Sequence, residues 1–332
     1  MTVAVAHETA VVLVAHGTVE SLDDLPEFLR NIRRGHAPSP DLVAEIRRRY
    51  EAIGGRSPLN AINRDVARAL EARLGLPVRL ANRLWSPYPK DVLAELASRG
   101  VRRVVAVPLA QHSAAVYGAA MTAAAREVDP TLEVVCAPNW GRTPELTGAF
   151  AGAVLDALAR VPAAEADRTA VVLTAHSLPV SVLRAGDPYE REVRASAEDV
   201  VAAVRARGGA FSEHVVAFQS QGAEPGLEWL GPDLRSTLAE LSGRGRRHVV
   251  LAPIGFLADH VEILYDLDIE ATTWARELGM TAYRSASLNA SSGLIDALAS
   301  VAGDLLGRSR SGDDDPSVPP GSATPRHVKR GG

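Results

Sequence analysis

The sequence predicts an α/β protein of two related lobes, each a parallel sheet flanked by helices. Short apolar runs suited to buried strands alternate with amphipathic stretches of helical spacing along most of the chain. The two halves also echo each other. AVVLVAHGT from Ala10 resembles AVVLTAHSL from Ala170, pairing His16 with His176. RGVRRVVAVPLA from Arg99 resembles RGRRHVVLAPIG from Arg244, pairing Pro108 with Pro253. Val/Ala-rich strands of parallel sheets can match by composition alone. The similar offsets of the two echoes favour one duplicated half with loop-length changes.

In chain order, Ala10 to Ala15 reads as a first buried strand ending at His16-Gly17-Thr18. A polar link and the Pro-rich, basic loop FLRNIRRGHAPSP follow. Ser39-Pro40 supplies a cap and a first-turn proline for the helix DLVAEIRRRYEAI, which stops at Gly54-Gly55. Ser57-Pro58 opens a second helix to about Leu74, and PVRLANRLW is the next strand. DVLAELASRG is amphipathic, with Gly100 as its C-cap. The strand VRRVVAVPLA leads to Gln111-His112-Ser113. Then come a small-residue helix, the strand LEVVCAP and the helix PELTGAFAGAVLDALARV. The second half repeats the pattern. The expected boundaries are an N-terminal tail at 1–8, a first lobe at 9–160, a second lobe at 161–308 and a disordered, apolar-poor tail at 309–332.

Composition narrows the function. With 332 residues the chain can hold two cores, and a net charge of -4 argues against nucleic acid as the main partner. No apolar run reaches membrane-spanning length, and no basic flank marks a signal peptide, so the expectation is a cytoplasmic protein. Cys136 is the only cysteine, which excludes disulfides, structural zinc and cysteine-ligated iron–sulfur clusters. Neither GxGxxG after the first strand nor GxxxxGK[ST] is present, so nucleotide chemistry is not expected.

The chemistry concentrates in VVLAPIGFLADHVEILYDLDIE, Val249 to Glu270. An expected strand, VVLAPIGF, turns at Ala258-Asp259 into a helix in which Glu262, Asp266 and Glu270 recur every four residues, stacked along one face. Like charges at that spacing cost about 0.2–0.5 kcal/mol per pair. A chain that keeps them without basic partners is either presenting a solvated acidic face or holding a cation, and spacing alone leaves both open. His16, His112 and His176 all follow strand ends, where open α/β sheets bind ligands. Each is a satisfied structural group or a functional one. His176 becomes a proton acceptor if Glu262 lies beside it. Arg33 and Arg34 are solvated charge or recognise carboxylates, whereas Arg47, Arg48 and Arg49 read as solvated charge. Tyr117 and Trp85 are core aromatics or flat faces for a ring.

RYEAIGGRSPL (Arg49 to Leu59), TAHSLP (Thr174 to Pro179), FQSQGAEPGLEWLGPDL (Phe218 to Leu234) and GFLADHVEILYDLD (Gly255 to Asp268) together resemble ferrochelatases, in the family's order and spacing. The resemblance runs from about Val11 to Leu306 and is strongest to the short bacterial form acting on coproporphyrin III. It implies two Rossmann-like, chelatase-type lobes with a porphyrin between them. His176 matches the histidine linked to pyrrole proton removal and metal handling, and Glu262 matches its partner. Asp266 and Glu270 match the acids of an outer metal site. Arg33 and Ser57 match polar residues near the porphyrin propionates, and His112 matches another cleft histidine. The chain departs from the pattern at AHGTV, where related short forms read AYGTP. His16 thus stands where a tyrosine would lie close to the metal, and sirohydrochlorin chelatases do begin with a strand ending in His-Gly.

The expected activity is therefore insertion of Fe²⁺, a substrate rather than a resident cofactor, into coproporphyrin III or protoporphyrin IX. The first is favoured because no hydrophobic membrane-contacting lip is visible. Catalysis is assigned to His176 and Glu262. Metal handling falls to these two with Asp266, Glu270 and His16, and substrate binding to Arg33, Ser57, His112 and Tyr117. No permanently bound cofactor or iron–sulfur cluster, and a monomer, are expected. Two alternatives remain: a chelatase for another pair, such as cobalt and sirohydrochlorin, or a tetrapyrrole-binding protein without turnover.

Overall fold

A computed structural model describes residues 7–222 and 226–307. The tail expected at 309–332, and most of that expected at 1–8, lie outside these residues. The described residues contain two four-stranded parallel sheets. The first comprises β1 (Thr9–Ala15), β2 (Val78–Asn82), β3 (Arg103–Pro108) and β4 (Glu133–Cys136), in the order β2-β1-β3-β4. The second comprises β5 (Thr169–His176), β6 (Glu213–Gln219), β7 (His248–Ala252) and β8 (Thr281–Arg284), in the order β6-β5-β7-β8. The shared order makes β1 the counterpart of β5 and β3 of β7, the strands that the sequence echo pairs.

The Val/Ala runs form these strands because parallel strands are buried on both faces. Ala10, Val12 and Val14 pack with Val104 and Ala106 on one side of the first sheet. Val11, Leu13 and Ala15 face the other way, into a core that also takes Val171, Leu173 and Ala175 of the second sheet. One apolar layer therefore runs through both lobes.

Two helices deepen this union. Pro144–Leu158 packs on Tyr189–Ala206 and reaches β7 and β8. Ser292–Gly307, the last described helix, returns to Leu59–Leu74 and β3. Arg103 fixes its end by donating to the carbonyls of Leu305 (2.9 Å) and Leu306 (3.3 Å). Close helix contact depends on Gly293, where a β-carbon would sit 2.8 Å from that of Ala149.

In each sheet the chain moves from the central strand to one neighbour and then to the other. This switch opens a crevice at the strands' C-terminal ends. His16 follows β1 and His176 ends β5, so the crevices receive the paired histidines.

Several segments differ from expectation. FLRNI is not loop but part of a helix, Leu25–Ile32, because Leu25, Phe28 and Leu29 share a buried face. The basic loop begins only at Arg33, and Arg34 and Gly35 end the helix at positive φ. β2 stops at Asn82, whose N–H turns back to the Pro87 carbonyl at 2.7 Å. β7 stops before Pro253, which has no N–H for the ladder.

The acidic helix is also not one α-helix. It consists of Val261–Leu264, a π-turn over Asp266–Ala271, and Thr272–Glu277. In the π-turn the Glu270 N–H bonds the Tyr265 carbonyl at 3.0 Å, one residue further back than an α-helix allows. The even stacking inferred from a four-residue repeat therefore does not hold. Asp266 is buried, Glu270 half-buried, and Asp268 exposed towards Arg284.

Candidate active site

Glu262 is the centre of the crevice. Its Oε2 lies 3.6 Å from His176 Nε2 and 3.7 Å from His260 Nε2. The two imidazoles arrive from different elements, His176 from the end of β5 and His260 from the turn before Val261–Leu264. In both rings Nδ1 faces a backbone carbonyl, that of Ser177 for His176 and that of Ala258 (3.1 Å) for His260. His16 repeats the device, with Nδ1 2.9 Å from the Gly17 carbonyl.

A carbonyl only accepts, so each Nδ1 carries hydrogen, and in the neutral ring Nε2 is the proton or metal acceptor. A neutral Nε2 beside a carboxylate oxygen sets lone pair against lone pair. That contact turns favourable when a proton or cation enters it.

The electrostatics follow. Burial pushes Glu262 upward, yet His176, His260 and His16 together hold it well below the usual carboxylate range. Burial lowers His260, but the hydrogen bond and charge of Glu262 outweigh it and raise the ring. Burial lowers His16 despite the Gly17 carbonyl and Glu262. The crevice thus sets a carboxylate and a basic imidazole in the second lobe against a neutral imidazole in the first.

Asp266 is pushed up to about 6, first by burial and then by the charge of Glu262. Ser220 Oγ donates to its Oδ2 at 2.5 Å and Arg49 Nη1 lies 3.4 Å from Oδ1. Ser220 reaches it from a left-handed backbone (φ 60), and the preceding Gln219 Nε2 donates to the Glu262 carbonyl at 2.7 Å. The end of β6 therefore grips the catalytic segment at two points. Glu270, further along, is felt electrostatically by Asp266 and Arg49. Among the described residues no three His, Cys, Asp or Glu side chains form a closed ion site. The acids lie instead along the segment from Glu262 through Asp266 to Glu270.

The crevice also receives Tyr117, whose hydroxyl is raised by burial and feels both Arg83 and Glu262. Phe28 packs edge-on against His16, its ring centroid 6.0 Å away, bringing the Leu25–Ile32 helix and the following Arg33 towards this end. Ser57 is buried and its Oγ accepts the Leu59 N–H at 3.4 Å, so it holds the start of the Leu59–Leu74 helix. His112 is 2% exposed, with neither ring nitrogen bonded and its pKa lowered to about 4 by burial. It packs against Gly141 and edge-on to Tyr189, whose hydroxyl donates to the His176 carbonyl at 2.9 Å. His112 therefore lies one ring behind the His176 carbonyl, next to a tyrosine that feels the charge of Glu262.

Sequence reasoning missed His260, Ser220 and Gln219, and misread Arg49. Far from being solvated, Arg49 is bonded to Glu45 and Asp266 and lies 5.1 Å from the centre of the Tyr265 ring. The available signal was position: His260 is two residues from Glu262, and the other three lie in the quoted RYEAIGG and FQSQG motifs.

A second network holds the segment from behind. Asp259 accepts from Ser287 Oγ (2.7 Å) and Asn289 Nδ2 (2.9 Å) and is ion-paired with Arg284 Nη1 at 3.2 Å. Arg284 Nε also bonds Asp268. One guanidinium thus ties both sides of the His260–Asp266 stretch to the end of β8. Arg284→Met leaves the half-buried Asp259 and the exposed Asp268 without their cation and is expected to cost about 1–3 kcal/mol. Urea unfolding checks this, and an unchanged midpoint would rule out the clamp.

Residues 8–304 match a family model described as Ferrochelatase. The chain is 34% identical over 304 residues to a ferrochelatase of Herpetosiphon aurantiacus, covering 89% of this chain and 98% of that protein. It is 37% identical over 314 residues to one of Acidobacterium capsulatum, covering 90% and 95%. Against a coproporphyrin III ferrochelatase of Bacillus subtilis it is 32% identical over 307 residues, covering 89% and 97%. Among solved structures, the cobalt complex of the sirohydrochlorin chelatase SirB of Bacillus subtilis subspecies spizizenii superposes with a TM-score of 0.54 at 13% identity, covering 90% and 97%. That likeness concerns the fold.

Proposed function

We propose, since this chain belongs to the ferrochelatase family and is a porphyrin-metallating enzyme, that it inserts Fe²⁺ into coproporphyrin III in preference to protoporphyrin IX, as a cytoplasmic monomer making haem-type products. The observation that carries the chemistry is Glu262 between two imidazoles that present Nε2 to its carboxylate while each Nδ1 faces a backbone carbonyl. The preference for coproporphyrin III is supported by relatives of that name.

Insertion requires that two pyrrole N–H bonds break, that the ring nitrogens bind the ion, and that both protons leave. A planar ring keeps its N–H bonds in plane and hides its lone pairs. A cleft that buckles the ring exposes them, at a strain of about 1–5 kcal/mol drawn from remote contacts. His176 Nε2 takes a proton and Glu262 balances the resulting charge, with His260 as the second basic ring. Glu270 and Asp266 exchange the water of the incoming ion for carboxylate oxygen. Oxygen ligands hold such ions loosely enough to hand them on. His16, neutral and carried by the other lobe, offers Nε2 to iron from the opposite side of the ring. Arg33, Ser57 and Tyr117 contribute to the substrate-binding walls.

The test is an absorbance assay pairing coproporphyrin III, protoporphyrin IX and sirohydrochlorin with Fe²⁺, Co²⁺ and Zn²⁺. Conversion of the first with Fe²⁺ at the highest kcat/KM is the expected result. A preference for sirohydrochlorin with Co²⁺ would overturn it, and binding without a spectral shift would make the chain a carrier. In the same assay, His176→Ala is expected to lower turnover by about 100-fold. Unchanged turnover would remove His176 as the proton acceptor.

A further inference from the structure

Arg83 follows β2 directly, and its N–H bonds the Ala15 carbonyl at 2.8 Å, which places it beside His16. Its guanidinium carbon lies 5.4 Å from the centre of the Tyr117 ring. The charge is felt at both His16 and Tyr117, so it belongs to the crevice. Other guanidinium groups near the catalytic segment have carboxylates: Arg49 has Glu45 and Asp266, and Arg284 has Asp259 and Asp268. Arg83 has none within ion-pairing distance among the described residues, and its Nε is buried without a hydrogen-bond partner.

Guanidinium stays charged at all accessible pH values, so it cannot escape this situation by losing a proton. A partly desolvated cation without a counter-ion is costly, and the cost is removed by an anion that enters with the substrate. The acids of the crevice, Glu262 and Asp266, are on the opposite lobe and committed to histidines, Ser220 and Arg49.

We propose that Arg83 binds a carboxylate of the tetrapyrrole substrate and so fixes how the ring is turned over His16, an assignment that rests on the porphyrin reading above. A guanidinium pairs with a carboxylate through two parallel N–H···O bonds, which sets orientation as well as affinity. Stacking on Tyr117 holds the fork in place before the ring arrives. Coproporphyrin, with twice the carboxylates of protoporphyrin, offers this group an anion in more ring orientations.

The experiment titrates metal-free coproporphyrin III, and its fully methyl-esterified form, into the wild-type chain, Arg83→Met and Arg83→Lys, following porphyrin absorbance. Methionine keeps the stem on Tyr117 and removes the charge. Arg83→Met is expected to weaken binding of the free acid about tenfold or more, as for loss of a charge-assisted hydrogen bond. Lysine should recover part of the loss, and the ester should bind the wild type and Arg83→Met alike. In turnover, KM should rise more than kcat falls. Equal affinity of the wild type and Arg83→Met for the free acid overturns the assignment, as does an equal loss for acid and ester, which marks a packing defect. If Arg83→Met does not fold, Arg83→Gln takes its place under the same criteria. Wild-type protein that metallates coproporphyrin while Arg83 proves irrelevant leaves the family activity standing. Wild-type protein that neither binds nor metallates it overturns both.

Discussion

Glu262→Gln is expected to reduce Fe²⁺ insertion by about two to three orders of magnitude while leaving the fold intact, the range found when a positioned proton-transfer group is lost. Glutamine fills the same volume but supplies no charge. Two imidazoles that now share a carboxylate at 3.6 and 3.7 Å would face an amide, and protonating either during turnover would leave its charge without a counter-ion. The substitution also has a signature in stability. Glu262 titrates below its unfolded value, so its contribution is present above the ordinary carboxylate pKa and is lost as pH falls. His260 titrates above its unfolded value, so its contribution is present below that value and is lost as pH rises. The melting difference between wild type and Glu262→Gln should therefore be largest between roughly pH 4.5 and 6.5, shrinking on both sides. A difference that grows steadily to pH 9 would show that the carboxylate is not coupled to a basic imidazole. Full turnover in the variant would displace Glu262 from the mechanism.

Asp266→Asn is expected to do the opposite to stability. Asp266 is pushed up to about 6 by burial and by Glu262, so the folded chain binds more protons than the unfolded chain between about pH 4 and 6. Its folding stability falls as pH rises through that interval and stays lower above it. Asparagine removes the burden and can still accept from Ser220. A gain of about 1–3 kcal/mol at pH 8, vanishing near pH 4, is the expected outcome of urea titrations. Metal-dependent turnover should fall at the same time, chiefly through a higher KM for Fe²⁺. A variant less stable than wild type at pH 8 would show that the contact with Arg49 outweighs the cost of burying the charge.

The sheets were legible because parallel strands demand Val/Ala runs, and the repeat put His16 and His176 at equivalent strand ends. The meeting of His176 with Glu262 followed from the motifs that carried the resemblance. Other features had no local signal. The π-turn begins where the N–H of Glu270 passes over its usual acceptor for Tyr265. Nothing in the four-residue spacing of acids announces that choice. Arg49 read as solvated because it closes a run of three arginines, Arg47 to Arg49, while its partner Asp266 is remote in the chain. The Leu25–Ile32 helix was hidden by the prolines and arginines that follow it, although Leu25, Phe28 and Leu29 have helical spacing. The place of His112 after β3 was legible, but its packing between Gly141 and Tyr189 without a polar partner was not.

The two helices that cross between the sheets constrain how so flat a guest gets in. Ser292–Gly307 is locked to β3 through Arg103, and Pro144–Leu158 is locked to β7 and β8, so parting the halves like a book would tear an interior they share. Admission must therefore be local, through a piece with little behind it such as the five-residue Val180–Arg184 helix, none of whose residues is buried. For the same reason neither half, made as a separate polypeptide, would own all the walls it needs to stand.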